Sequence, residues 1–239
     1  MAQTYGSRGG EWPPWPGWSE ISEVNDVLGG LENAIAQIDQ HLAALDEARE
    51  KAFKLSREVI RSAAAAIRHV HREDFSAAEN GLKQTGELVR EMVTAVADYP
   101  VLRYAGFVQD AEKEYCEAAI FVAAIAGRPA PSPDELGVDM VAWLNGLCEV
   151  VGELRRHVLD LIRHGKPEEA EQFLALMEDI YHHTMTFDYP NAITAGLRSR
   201  TDQARGAIER TRGELTMAIQ NRELIERMER LRQRLAEDE

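Results

Sequence analysis

Apolar residues recur every three or four positions along most of the chain, and nowhere do they alternate over the length of a strand. Leu31, Ile35, Ile38, Leu42 and Leu45 keep this spacing, and Phe53, Val59, Ile60, Ile67 and Val70 continue it. The pattern predicts one long helix from Leu31 to about Val70, with Gly29-Gly30 as a break before it. Further helices are expected over about 74–97, 101–126, 139–164, 167–186 and 192–236. The stops between them are Tyr99-Pro100, Gly127-Arg128-Pro129, Gly165 and Asp188-Tyr189-Pro190. Ser132-Pro133-Asp134-Glu135 reads as an N-cap with proline in the first helical position and glutamate in the third. The expected fold is all-α, a bundle of about six to seven long antiparallel helices, with residues 19–239 forming one domain. Several of these helices exceed the 10–14 residues average for globular proteins, which points to part of their length lying in an oligomer interface.

Residues 1–18 stand apart. Glu11-Trp-Pro-Pro-Trp-Pro-Gly-Trp18 cannot be helical, because its prolines fix the backbone and remove donors. It reads either as a free tail or as a Trp-rich strap. Met1–Gly10 lacks an apolar export core, and runs such as Ala118–Ala126 are too short to span a membrane. Two cysteines build no disulfide framework, so a cytoplasmic setting away from membranes is expected.

Charge changes the picture only when localised. The 239 residues carry 27 Lys+Arg against 41 Asp+Glu, a net −14, which taken whole argues against binding a polyanion. Arg49–Arg72, however, holds seven cations against two acids, and Arg198–Arg212 five arginines against two acids. Lys54, Arg57, Arg61, Arg68 and Arg72 follow at steps of 3, 4, 7 and 4, which places them on one helical face. Such a stripe is either a solvated surface or a track for phosphates. Its single sign weighs toward phosphate, as does the excess of arginine over lysine (22 against 5), although scarce lysine equally fits genome composition or high intracellular salt. The remainder of the chain then carries −22.

Some of that acid falls at helical spacing in apolar surroundings. Asp110, Glu114 and Glu117 share a face of the third helix, and Glu149 and Glu153 lie one turn apart on the fourth. Like charges one turn apart repel, and on a buried face they need protons or a cation. Glu114, Glu117, Glu149 and Glu153 on facing helices suit a hard divalent ion, Mg²⁺ or Mn²⁺, although surface acids are the plainer reading. Gly152 is expected to let a helix or ligand approach closely. Only one Asp179-x-x-His182 is present, which does not make a di-iron bundle, and Cys116 and Cys148 are expected in the core.

The chain resembles the translin family. The matching stretches are Arg49-Glu-Lys-Ala-Phe-Lys-Leu-Ser-Arg-Glu-Val-Ile-Arg61, Ala105-Gly-Phe-Val-Gln-Asp-Ala-Glu-Lys-Glu-Tyr-Cys-Glu-Ala118 and Leu144-Asn-Gly-Leu-Cys-Glu-Val-Val-Gly-Glu-Leu-Arg-Arg156. Pro131-Ser-Pro-Asp-Glu-Leu-Gly-Val138, Asp188-Tyr-Pro-Asn-Ala192 and Leu197-Arg-Ser-Arg-Thr-Asp202 complete them. The likeness runs from about residue 30 to 235 and leaves out the Trp/Pro tail. It implies a helical bundle that assembles as a homo-oligomer, a hollow octamer binding single-stranded RNA or DNA. Trax-like members carry Glu-Tyr-x-Glu on one helix and acid-x-x-Gly-Glu on the next, and cleave RNA with Mg²⁺. The corresponding positions here are Glu114, Glu117, Glu149 and Glu153, with Glu149 where aspartate is usual. The resemblance implies that these four are metal-binding and catalytic. The basic stripe would draw the strand toward them, joined by Arg103, Arg155, Arg156, Arg198 and Arg200 as candidate contacts. Three functions remain open: a metal-dependent endoribonuclease, a non-catalytic shell for nucleic acid, and a helical scaffold.

Overall fold

The computed structural model describes residues 24–237, and the Trp/Pro-rich segment lies outside them. Contacts divide the chain into two compact units, Met1–Glu47 and Ala48–Glu239. Among the described residues every element is helical. These are α1 (Val24–His71), α2 (Phe75–Ala95), α3 (Pro100–Arg103), α4 (Gly106–Ile125), α5 (Pro133–Leu136), α6 (Met140–Arg163), α7 (Pro167–Thr184), α8 (Asn191–Thr194) and α9 (Leu197–Glu237). Six are long and three are single turns, in keeping with the expected all-α bundle. None is long and apolar enough to cross a membrane.

Three boundaries differ from the periodicity. The Gly29-Gly30 break is absent, and α1 runs through it. Two glycines cost a helix interior roughly 2 kcal/mol, less than good helix formers on both sides can offset. The helix expected over 101–126 is split, because Ala105 is extended (φ −70°, ψ 144°) and α4 starts afresh at Gly106. The last helix starts later, since Ala195 and Gly196 take positive φ of 48° and 91°. Gly196 adopts that conformation freely, whereas Ala195 pays about 1 kcal/mol for it. Two hydrogen bonds hold the turn: Asn145 Nδ2 donates to the Thr194 carbonyl (2.9 Å) and Arg200 Nη1 to the Ala195 carbonyl (2.8 Å). Neither contact has a local signal.

Other boundaries follow the sequence. Ser132 and Glu135 form the expected capping box, and Gly137 (φ 68°) closes that turn. The Asp139 carboxylate caps α6 by accepting from the Val141 and Ala142 amides. Within the second unit, α6 packs against α4, α7 and α9, and α4 against α2. Phe121, Leu154, Met177 and Leu215 are among the fully buried side chains of this core, and Cys116 and Cys148 are buried as free thiols. The first unit is different: Leu31, Ile35, Ile38 and Leu42 are all more than half exposed.

Candidate functional site

The site is built where α4 crosses α6. A Cβ placed on Gly146 would lie 2.7 Å from both the Cys116 Cβ and the Lys113 carbonyl oxygen, so the two backbones meet there with no room for a side chain. The close approach expected at Gly152 belongs to Gly146; a Cβ on Gly152 would meet nothing within 4 Å. One side of α4 is committed to the core through Val108, Ala111, Ala118 and Phe121. Glu114 and Glu117 are left facing Glu149, and one oxygen from each of the three lies within 4.8 Å of the others.

This crowding has an electrostatic signature. The Glu117 carboxyl is pushed up to about 8, first by burial and then by the charges of Glu114, Glu149 and Glu153. Two cations oppose the negative charge. Lys113, itself buried, donates to Glu149 and to Glu114 (2.9 Å). Burial works against its charge, but these carboxylates outweigh it and its pKa lies above the ordinary lysine value. Arg200 Nε donates to the other Glu149 oxygen at 2.8 Å. All donors in the cluster are hard oxygens, the set that Mg²⁺ and Mn²⁺ prefer, and once Glu117 gives up its proton three carboxylates exceed what the two cations neutralise. The residues therefore fit a divalent ion. The neighbouring thiols do not compete, because burial raises the pKa of both Cys116 and Cys148.

Glu153 stands outside the three-acid group. Its Oε2 lies 2.6 Å from His71 Nε2 at the end of α1. Beside the acids a groove of about 620 Å³ is lined by Glu117, Glu149, Gly152, Arg155, Arg200 and Arg210, among others. Carboxylates and guanidinium groups thus share one opening.

The candidate cations fall into two sets. Lys54, Arg57, Arg61, Arg68 and Arg72 are all exposed, and among the described residues none makes a salt bridge; Arg57 lies 4.4 Å over the Phe53 ring. Arg156 and Arg198 are likewise exposed. The other three are engaged. Arg103 makes a two-pronged contact with the fully buried Glu112 (2.9 and 3.0 Å). Arg155 does the same with Glu214 (2.7 and 3.0 Å) and also reaches the Thr211 hydroxyl (2.8 Å), while Arg200 holds Glu149. Lys113, His71 and Arg210 were not singled out from sequence. Lys113 had one usable sign, a lone cation in an otherwise apolar and acidic helix. His71 and Arg210 reach the site from α1 and α9, where spacing carries no such information.

Among solved structures, the chain is similar to a complex of AfC3PO with duplex RNA. Identity is 35%, the TM-score is 0.75, and the match covers 79% of this chain and 98% of the other. The chain belongs to the translin family. A crystal structure of AfC3PO matches at 33% identity, with a TM-score of 0.71 over 79% and 98% of the two chains. That of apo-NeC3PO, at 21% identity and a TM-score of 0.70 over 77% and 96%, shares the fold. An uncharacterized protein of Methanocaldococcus jannaschii is 32% identical over 200 residues, 83% of this chain and 88% of that one. No family model matches. On this translin fold the four acids singled out from sequence sit on α4 and α6, three of them converging and the fourth paired with a histidine.

Proposed function

We propose that this translin-family chain binds RNA and cleaves it internally with a divalent metal, Mg²⁺ or Mn²⁺, as a homo-oligomer. The observation that carries the reading is the convergence of Glu114, Glu117 and Glu149 on a groove that also holds arginines. The RNA reading is supported by the likeness to AfC3PO, which was determined with duplex RNA. Two buried free thiols suit a reducing cytoplasm.

Glu114, Glu117 and Glu149 would hold the metal, with Glu153 as the fourth carboxylate. A bound ion lowers the pKa of water and stabilises charge on a scissile phosphate. Lys113 and Arg200 hold the Glu149 carboxylate in place before any metal arrives. Arg210, at the rim of the groove, offers a phosphate contact without displacing an existing ion pair. Lys54, Arg57, Arg61, Arg68 and Arg72 provide the long-range attraction for a single strand of RNA or DNA, with Arg156 and Arg198 as further contacts.

The oligomer, an octamer in this reading, is supported by apolar stripes left in water. Leu224, Met228, Leu231 and Leu235 on α9, like Leu31, Ile35, Ile38 and Leu42 on α1, step by 4, 3 and 4 and are all more than half exposed.

The test uses a labelled unstructured RNA and a duplex of the same sequence, each incubated with protein in Mg²⁺ or in EDTA. Internal cleavage only with Mg²⁺, lost in Glu114→Ala/Glu117→Ala, is expected. Equal RNA survival in both buffers overturns the catalytic reading. Binding without turnover would then leave a non-catalytic shell, which the exposed basic stripe favours as the second reading.

A further inference from the structure

His71 is the last residue of α1 and is 96% buried by its side chain, 4% remaining exposed. Its ring packs at 5.2 Å and 34° against Phe121, a fully buried member of the core, which fixes the ring plane. Its Nε2 lies 2.6 Å from Glu153 Oε2, so the Nε2–H donates to that carboxylate. The other nitrogen, Nδ1, is buried with no hydrogen-bond partner; Asp160 Oδ2 stands 3.6 Å away, too far to accept a good bond. An orphaned buried polar atom is costly. A ring kept only to fill the space beside Phe121 would need neither nitrogen. The bond to Glu153 is what gives this histidine a purpose there.

Glu153 needs such a partner. It lies one turn beyond Glu149, and its charge is felt by Glu117, yet it is not among the three acids that already converge. A free glutamate loses side-chain entropy on being fixed. We propose that His71 is a positioning residue of the acidic site, holding the Glu153 carboxylate at the edge of the three-acid cluster for the cation. The proposal rests on the metal reading above. Hydrogen-bonding partners behind metal ligands change metal affinity by about 10–100-fold when removed.

The test is Mn²⁺ binding to the whole protein, measured by calorimetry and by loss of the free-ion EPR signal. His71→Phe keeps the ring against Phe121 and removes the donor; it is expected to weaken Mn²⁺ binding about tenfold or more. His71→Gln, whose amide can still donate to Glu153, restores most of that loss, whereas the shorter His71→Asn does not. Glu153→Ala is expected to weaken binding at least as much as His71→Phe, and the double variant to bind no more weakly than Glu153→Ala alone, since without the carboxylate His71 has nothing to position. RNA affinity in EDTA stays unchanged in the single His71 variants, which a general loosening of the bundle would not allow. Wild-type affinity in His71→Phe, or losses that simply add in the double variant, overturns the positioning role. If His71→Phe does not fold, the Gln and Asn pair decides on the same readout. A wild-type protein that binds no Mn²⁺ overturns the metal reading, and this role with it.

Discussion

Lys113 donates to Glu149 across the α4–α6 crossing, so the acidic cluster contains a cation of its own before any ion binds. With Glu114 also bonded to it, the lysine takes up part of the repulsion that three close carboxylates create. Lys113→Met should therefore destabilise the metal-free protein by roughly 1–3 kcal/mol, the cost of leaving partly buried charges unpaired. It should also make the protein more dependent on added Mg²⁺. Thermal melts in EDTA and in Mg²⁺ measure this: a larger Mg²⁺-induced rise in Tm than wild type is expected, and an equal rise would count against the pairing.

Glu117 gives the site a pH dependence of definite sign. Its folded-state pKa of about 8 lies above the ordinary carboxylate value, so between about pH 4.5 and pH 8 the folded protein holds a proton that the unfolded chain releases. Stability of the metal-free protein is then lost as pH rises through that window. A metal displaces the proton, so Mn²⁺ affinity should climb with pH, approaching tenfold per unit, and level off above pH 8. Calorimetry at several pH values in two buffers counts the proton. Glu117→Gln, which has none to release, should flatten the slope attributable to this group.

The two glycines of α6 should respond in opposite ways. Gly146→Ala forces a Cβ against the Lys113 backbone carbonyl and the Cys116 Cβ, neither of which is the end of a flexible side chain. A loss of about 1–3 kcal/mol is expected, read as a lower urea midpoint with the slope unchanged. Gly152→Ala meets no atom within 4 Å, and alanine is the better helix former, so stability should hold or rise by up to about 1 kcal/mol. A neutral Gly146→Ala would remove the close crossing as the reason the acids converge.

The basic stripe makes a separate prediction. Arg61 and Arg68 are exposed and form no salt bridge among the described residues, so replacing them with Ala should leave the melting temperature unchanged. RNA affinity should fall, and the slope of log affinity against log salt should shrink by about 0.7 for each lost contact to a single strand. Fluorescence anisotropy over a range of KCl measures both. An unchanged salt slope would assign the stripe to solvent.

Most of the fold could be read along the chain, because helix formation and its stops are local. The 3–4 spacing of Leu31 to Val70, the Ser132 capping box and the proline and glycine stops all act within a few residues of themselves. The exceptions are Ala105, which takes extended backbone before Gly106 and splits the expected helix, and Ala195, whose strained φ is held by the nearby Arg200 and, through Thr194, by the distant Asn145. The acids were equally visible, since i, i+3 and i, i+4 spacing puts Glu114 beside Glu117 and Glu149 beside Glu153 on their own helices. Which of these acids meet is another matter. A carboxylate's partners depend on how helices cross, and a repeat of 3.6 residues says nothing about the neighbour facing it. Only the Gly146 crossing brings Glu149 to the α4 pair, only the α1 terminus assigns Glu153 to His71, and only burial together with the facing acids lifts the Glu117 carboxyl to about 8. The same holds for the cations: arginines of one type and one apparent purpose divide into exposed Arg57 and internally committed Arg103 and Arg155, because a carboxylate on another helix reaches some and not others.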